Sequence, residues 1–158
     1  MALEDEVVAQ LKERGLSLTT AESCTAGLVA GRIMNVAGAS AVYGEGYITY
    51  SNEAKEKLLG VSHDTLEQYG AVSRETACEM AKGAAEAAGA DTALSVTGIA
   101  GPDGGTEEKP VGLVYIGCFV LGNVRVEECR FKGERQENRE ASVERALLIL
   151  REELGKLS

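Results

Sequence analysis

Apolar residues along the chain recur at helical spacing in some segments and at strand spacing in others. Leu3, Val7 and Leu11 share one helical face, and Gly15 follows three charged residues, which predicts a first helix that ends there. Residues 16–21 and 93–97 are short runs rich in apolar and β-branched side chains, which is typical of buried strands. The pattern therefore favours a chain in which helices and strands alternate.

Two longer segments have helical apolar faces. Ser73 is expected to cap the first of them, and its face is built from small residues that suit packing against either the protein's own sheet or a second subunit. The second begins at about Glu134. Their apolar positions are Ala77, Met80, Ala81, Ala84 and Ala88 in the first, and Val143, Leu147, Leu150 and Leu154 in the second.

The remaining elements complete an α/β pattern. They are predicted, in chain order, as a buried helix at 26–34, a strand at 42–50, a helix through Leu58 and Leu59, and a hairpin of strands 111–118 and 124–130. Helices and strands interleaved in this way predict a layered α/β/α sandwich with a mixed β-sheet. At 158 residues the chain has the length of one domain, so we expect a single domain over residues 1–158.

The charge balance excludes some functions. Lys and Arg number 16 against 25 Asp and Glu, a formal net charge of −9, and no basic cluster offsets it, so we expect no nucleic-acid partner. No apolar run approaches the roughly 18 residues that span a bilayer, and the first residues are acidic where a secretory signal is basic. We therefore expect a cytoplasmic protein with no membrane association.

Cysteine and histidine usage disfavours a zinc site. Four cysteines lie far apart with no C-x-x-C spacing, and His63 is the single histidine of the chain. Because Ser62, His63 and Asp64 are adjacent, they cannot face one another as a catalytic triad requires, and they are interpreted as a helix start. Any serine nucleophile in this chain would therefore need a base other than histidine.

Two strand-to-helix junctions carry candidate chemistry. Ser23 is either the N-cap of the helix that follows it or a nucleophile on a sharp turn, with an oxyanion hole formed by amides at the helix start. Lys55 lies near the start of the next helix, behind Ser51 or Asn52 as cap, and is either a solvated surface residue or a buried base of lowered pKa. Tyr50 is close enough in sequence to relay a proton.

A third segment resembles a ligand-binding loop. Gly98, Gly101, Gly104 and Gly105 follow a predicted strand, more glycines than a simple connection needs, so their amides are candidates to surround an anionic or polar ligand. Arg135 and Arg139 share a face at the start of the last helix, where they could serve an anionic ligand or pair with Glu134 and Glu140.

Taken together, these segments resemble the CinA C-terminal domain family along nearly the whole chain. The matching segments are residues 20–25 (TAESCT), 50–55 (YSNEAK), 70–73 (GAVS), 97–105 (TGIAGPDGG), 108–112 (EKPVG) and Arg135-x-x-x-Arg139. The resemblance implies a nicotinamide-nucleotide amidohydrolase, which converts nicotinamide mononucleotide to nicotinate mononucleotide and ammonia without a metal or other cofactor. It also implies a homo-oligomer.

The resemblance assigns roles to individual positions. It implies Ser23 as nucleophile and Lys55 as its base, with Tyr50 beside them, and it places the substrate phosphate on Arg139 together with Arg135 and Thr106. The chain departs from the family at Ala26, where a glycine is usual. A Ser-Lys hydrolase of another amide and a non-catalytic nucleotide-binding or partner-binding domain stay open as alternatives. The implied substrate-binding residues are Thr25, Thr97, Gly98, Gly101, Gly104, Gly105, Thr106, Arg135 and Arg139.

Overall fold

A mixed β-sheet forms the middle layer of the molecule. This computed structural model describes residues 1–157. Within them the strands are β1 (Leu18–Glu22), β2 (Tyr47–Ile48), β3 (Thr92–Gly98), β4 (Leu113–Val120) and β5 (Asn123–Arg130). They lie in the order β2-β1-β3-β4-β5, with β1 parallel to both neighbours and β4 antiparallel to both of its own.

Helices cover both faces of this sheet. They are α1 (Leu3–Arg14), α2 (Leu28–Met34), α3 (Asn52–Leu59), α4 (His63–Tyr69), α5 (Arg74–Ala88) and α6 (Arg135–Gly155), with a short 3-10 helix at Ala39–Ala41. One apolar core joins the sheet to α1, α2 and α6, and a second joins it to α3, α4 and α5. The predicted α/β/α sandwich with a mixed sheet is confirmed. No described helix is long and apolar enough to cross a membrane.

Strand alternation divides the side chains between the two cores. Leu94 and Val96 of β3 pack in the first core, and Ala93 packs in the second. On that second side Ser95 Oγ donates a hydrogen bond to the carbonyl oxygen of Ala77 in α5, at 2.6 Å. The small-residue face of α5 therefore packs on the protein's own sheet, and Ser73 caps this helix as predicted, accepting from the Thr76 amide at 3.1 Å.

The predicted strand at 42–50 is mostly wrong. Only Tyr47 and Ile48 pair with β1 as a strand, while Tyr43 forms one isolated bridge to Leu18. Gly44 and Gly46 interrupt the run, and the Tyr43 hydroxyl occupies the space that a Cβ at Gly46 would fill. The predicted hairpin is confirmed, with β4 beginning at Leu113 rather than at 111.

The topology brings three chain segments to one edge of the sheet. From β1 the chain crosses one face through α2 to reach β2, then crosses the opposite face through α3, α4 and α5 to reach β3 on the other side of β1. Parallel strands whose connections diverge in this way leave a crevice at their carboxyl ends. Residues directly after β1, β2 and β3 therefore meet there.

Gly83 generates a prediction about the contact between α3 and α5. A Cβ at Gly83 would lie 1.8 Å from the backbone oxygen of Leu59, so Gly83→Ala is expected to destabilise the fold by about 1–3 kcal/mol despite the better helix propensity of alanine. A Cβ at Gly31 of α2 would have no atom within 4 Å, so Gly31→Ala is the matched control. It is expected to stabilise the fold by up to about 1 kcal/mol. Urea unfolding of both variants measures the difference, and equal effects would contradict the close approach.

Candidate active site

Ser23 lies directly after β1, at the carboxyl edge of the sheet. Its amide donates to the carbonyl oxygen of Val96 at 2.9 Å, which ties the residue to the neighbouring strand β3. Residues 24–27 then form a turn, and α2 begins only at Leu28. Since Gly27, not Ser23, is the N-cap of α2, the N-cap interpretation of this serine is wrong. Ser23 is 8% exposed.

A buried carboxylate, which the sequence interpretation missed, fills the position at the start of α2. Glu22 accepts hydrogen bonds from the amides of Val29 at 2.9 Å and Ala30 at 3.0 Å, and from the Thr25 hydroxyl at 2.7 Å. An anion at this end of a helix is favourable because the free amides and the dipole point towards it. The amides at the helix start are therefore occupied, and the expected oxyanion hole there is wrong.

The turn after Ser23 offers other donors. Ser23 and Thr25 contribute carbonyl oxygens that accept from Ala26 at 3.2 Å and from Leu28 at 3.0 Å. Among the described residues, no acceptor pairs with the amides of Cys24 and Thr25. Ala26 has a φ of 45°, a left-handed conformation that costs an alanine free energy. These two unpaired amides directly follow the serine.

Lys55 is buried beside Ser23. The Ser51 hydroxyl caps α3 by accepting from the Ala54 amide at 3.0 Å, which confirms one of the two predicted caps and fixes where Lys55 enters the fold. Lys55 is 1% exposed, so the interpretation as a solvated surface residue is wrong. Its Nζ lies 3.1 Å from Ser23 Oγ, 2.7 Å from the carbonyl oxygen of Thr49 and 3.4 Å from that of Tyr50.

This environment makes Lys55 a suitable base. Burial away from water lowers the pKa of Lys55 from its ordinary value to about 8, and within the described residues no carboxylate forms a salt bridge with it. A neutral amine has two N–H groups, which the carbonyls of Thr49 and Tyr50 can accept. Its lone pair then faces Ser23 and can take the proton of the hydroxyl.

Tyr50 meets the site through its backbone rather than its hydroxyl. Its carbonyl oxygen faces the amine of Lys55, while its side chain is 66% exposed and makes no hydrogen bond to Ser23 or Lys55. Tyr50 also lines a cavity beside Cys24. The proton relay through Tyr50 stays a prediction.

The glycine-rich loop forms the other walls of this cavity, whose volume is about 210 Å³. Arg135 stands at its edge and donates to the carbonyl oxygen of Gly101 at 2.7 Å. Asn138, which the sequence interpretation missed, is buried and donates to the carbonyl oxygen of Ala100 at 3.0 Å, so α6 anchors the loop twice. The lining residues are Cys24, Tyr50, Gly98, Ile99, Ala100, Gly101, Asp103, Gly104 and Arg135.

Five of the predicted substrate-binding residues do not line the cavity: Thr25, Thr97, Gly105, Thr106 and Arg139. The Thr25 hydroxyl donates to Glu22 at 2.7 Å and the Thr97 hydroxyl donates to the carbonyl oxygen of Ala71 at 2.8 Å, and substrate binding by both residues stays a prediction. The hydroxyl of Thr106 accepts from the Lys109 amide at 3.0 Å, and Gly105 packs against Val111. Substrate binding by Gly105 and Thr106 stays a prediction.

Arg135 and Arg139, the two arginines at the start of α6, have different surroundings. In the described part of the chain neither forms a salt bridge, so the expected alternative of pairing with Glu134 or Glu140 is wrong. Arg135 reaches the cavity. Arg139 contacts the turn after Ser23, with Nε 2.9 Å from the carbonyl oxygen of Cys24 and Nη2 3.2 Å from that of Thr25.

The other groups of acid-base interest do not compete with Ser23 and Lys55. His63 is exposed at the start of α4, where its Nδ1 contacts Glu56 at 3.2 Å. Burial raises the pKa of the Cys24 thiol to about 11, so this neighbour of Ser23 stays neutral. A larger groove of about 670 Å³ runs between α2 and α6. Ser23 and Lys55 line neither this groove nor the smaller cavity, but the smaller cavity is lined by Cys24, which directly follows Ser23, and by Tyr50, whose carbonyl oxygen faces Lys55.

Comparison with known proteins agrees with this geometry. The sequence profile of the CinA C-terminal domain matches residues 1–154. The chain belongs to the CinA C-terminal domain family. Among curated relatives, a CinA-like protein of Kosmotoga olearia is 55% identical over 153 residues, which are 97% of this chain and 37% of that protein. The chain thus spans little more than a third of the length of this relative.

Solved structures of CinA proteins share the fold over nearly their whole length. The competence/damage inducible protein CihA of Agrobacterium tumefaciens superposes with a TM-score of 0.94 at 46% identity, covering 98% of this chain and 94% of that one. The competence damage-inducible protein A of Klebsiella pneumoniae has a TM-score of 0.95 at 38% identity, covering 99% and 97%.

Ala26 generates a stability prediction. Because glycine adopts a left-handed conformation freely, Ala26→Gly is expected to stabilise this CinA domain by about 0.5–1 kcal/mol, after allowing for the greater entropy of the unfolded chain. Ala30→Gly, within helix α2, is the matched control and is expected to destabilise by about 1 kcal/mol. Thermal unfolding measures both, and a lower Tm for Ala26→Gly would show that the turn carries no such strain.

The lowered pKa of Lys55 generates a pH prediction. Below about pH 8 the amine is protonated and cannot accept the Ser23 proton, so the rate of covalent labelling of Ser23 by a neutral fluorophosphonate is expected to rise with pH. The expected rise is roughly tenfold per pH unit below a midpoint near pH 8, followed by a plateau. Lys55→Met should label far more slowly, with no such midpoint. A wild-type rate that does not vary between pH 6 and 9 would contradict a base role for Lys55.

Proposed function

We propose that this domain hydrolyses the carboxamide of nicotinamide mononucleotide, giving nicotinate mononucleotide and ammonia. The observation that carries the proposal is the buried amine of Lys55, 3.1 Å from the hydroxyl of Ser23, in a member of a family that includes amidohydrolases. Burying a lysine away from any carboxylate costs free energy. A domain that only binds a nucleotide would gain nothing from it, and so the catalytic proposal is favoured over the non-catalytic alternative.

The proposed reaction has two covalent steps. Ser23 Oγ attacks the carboxamide carbon and its proton passes to neutral Lys55, forming a tetrahedral intermediate. The C–N bond then breaks, and ammonia leaves with the proton returned from Lys55. Water, deprotonated by the same amine, next attacks the carbonyl carbon of the ester on Ser23. The bond to Ser23 Oγ breaks as Lys55 returns the proton to that oxygen, and the acid product leaves as its carboxylate after losing its proton to solvent. The positively charged pyridinium ring withdraws electrons from the carbonyl carbon and favours both attacks.

The cavity suits one part of such a substrate. Its volume of about 210 Å³ is smaller than the roughly 300 Å³ at which pockets for whole drug-sized ligands begin, so it accommodates the reacting ring while the ribose and phosphate extend outward. Tyr50 and Asp103 are among its lining residues, and an aromatic and an acidic residue suit a flat cation. Arg135 at its edge uses one N–H group on Gly101 and retains others for a phosphate.

Ammonia release from nicotinamide mononucleotide by the purified chain, treated with a chelator, tests this function. Ser23→Ala and Lys55→Met are expected to lower kcat about a thousandfold or more, because each removes a group that acts in bond making. Lys57→Met is the matched control, since Lys57 lies on the same helix α3 with an exposed side chain, and its activity is expected to equal that of the wild type.

The outcomes separate the proposal from its alternatives. Wild-type ammonia release that Ser23→Ala abolishes, in a variant of unchanged circular dichroism, supports the nucleophile and the substrate together. A wild type that binds the nucleotide without releasing ammonia would indicate a non-catalytic binding domain. A wild type that hydrolyses other amides but not this one would retain the Ser-Lys chemistry and overturn the substrate.

A further inference from the structure

Arg139 connects helix α6 to the turn that carries the proposed nucleophile. Its Nε donates to the carbonyl oxygen of Cys24 at 2.9 Å and its Nη2 to that of Thr25 at 3.2 Å. Its Nη1 donates to Gln136 on the same helix at 3.2 Å, and in the described residues no carboxylate forms a salt bridge with it. The guanidinium therefore binds the backbone carbonyls of the two residues directly after Ser23. Arg139 does not line the cavity.

These contacts determine where the amides of the turn point. In a trans peptide the C=O and N–H groups lie on opposite sides, so holding the Cys24 carbonyl towards α6 directs the N–H of Thr25 away from it. In the same way, the Ser23 carbonyl accepts from Ala26, which sets the direction of the Cys24 N–H. Both amides belong to buried residues and have no acceptor among the described residues.

Backbone amides of buried residues are rarely left unpaired, because an unpaired amide away from water costs roughly as much as a lost hydrogen bond. Where two of them follow a nucleophilic serine, a developing oxyanion is the acceptor that they suit. We propose that Arg139 is a positioning residue, which holds the turn so that the amides of Cys24 and Thr25 stabilise the oxyanion formed at Ser23. This inference rests on the proposed hydrolase function.

The conformation of Ala26 explains why the turn needs the hydrogen bonds from Arg139. Ala26 is held in a left-handed conformation, which an alanine leaves readily when nothing fixes the preceding peptides. The Arg139 guanidinium supplies charge-assisted hydrogen bonds, which are stronger than neutral ones and also polarise the peptides they contact. Polarised peptides are better N–H donors on their opposite side.

The test measures Ser23 reactivity without the nucleotide. A fluorophosphonate is attacked at phosphorus by Ser23 Oγ, fluoride leaves, and the proton passes to Lys55, so the labelling rate depends on the oxyanion donors and not on a substrate phosphate. Arg139→Met is expected to lower this rate about a hundredfold. Arg139→Lys is expected to recover most of it, because an amine can still reach one carbonyl. The matched control is Arg151→Met on the same helix, where Arg151 pairs with Glu6 and should leave the rate unchanged.

Hydrolysis then separates positioning from phosphate binding. Arg139→Met should lower kcat similarly for nicotinamide mononucleotide and for nicotinamide riboside, which has no phosphate, with KM within about threefold of the wild type and the pH midpoint still near 8. A raised KM for the nucleotide with no effect on the riboside would overturn the inference and make Arg139 a phosphate ligand. A displaced pH midpoint would overturn it too, since it would show a general disturbance of the site.

The fluorophosphonate labelling rates also separate the inference about Arg139 from the proposed hydrolase function. A wild type that is labelled at Ser23 but releases no ammonia refutes the substrate, and the labelling rates of the Arg139 variants still decide the role of Arg139. A labelling rate for Arg139→Met within threefold of the wild type refutes the positioning role. If the wild type is not labelled at Ser23 at all, the nucleophile is wrong and the role of Arg139 falls with it.

Discussion

The buried contact between Lys55 and Ser23 is the constraint on which the site depends. Removing an amine from water is costly, and within residues 1–157 no carboxylate forms a salt bridge with Lys55 to offset that cost. Two backbone carbonyls accept its N–H groups, which requires residues 49 and 50 to leave the short strand β2 along a fixed path. The edge strand, the Ser51 cap and the close contact of α3 with α5 at Gly83 all hold that path in place.

The turn at Ser23 is held from two directions. From the strand side, the carboxylate of Glu22 supports the start of α2 and fixes the Thr25 side chain. From the opposite side, Arg139 holds the carbonyls of residues 24 and 25. Two oppositely charged groups thus act on one short segment without pairing with each other. Support from both sides keeps Ala26, in the middle of the turn, in its left-handed conformation.

The sequence predicted the fold and the central pair of the site better than it predicted the surroundings of that pair. Helical and strand periodicity located the elements, and family resemblance identified Ser23 and Lys55. Periodicity failed at 42–50, where β-branched and aromatic residues form a loop because two glycines interrupt the strand. The roles of Asn138 and Arg139 depend on contacts with residues distant in sequence, for which no local pattern exists. The role of Glu22 depends on nearby residues, and an acidic residue shortly before a helix was the signal that could have identified it.

The neighbour of Ser23 has a consequence for how such a domain would behave under oxidative stress. Peroxides and alkylating reagents react with thiolates, and a thiol whose pKa is about 11 is ionised in only about one molecule in ten thousand at pH 7. Cys24 therefore contributes a small, polarizable wall to the cavity without offering a reactive sulfur. Cys24, next to the proposed nucleophile Ser23, would therefore stay reduced in conditions that inactivate enzymes whose chemistry depends on a thiolate.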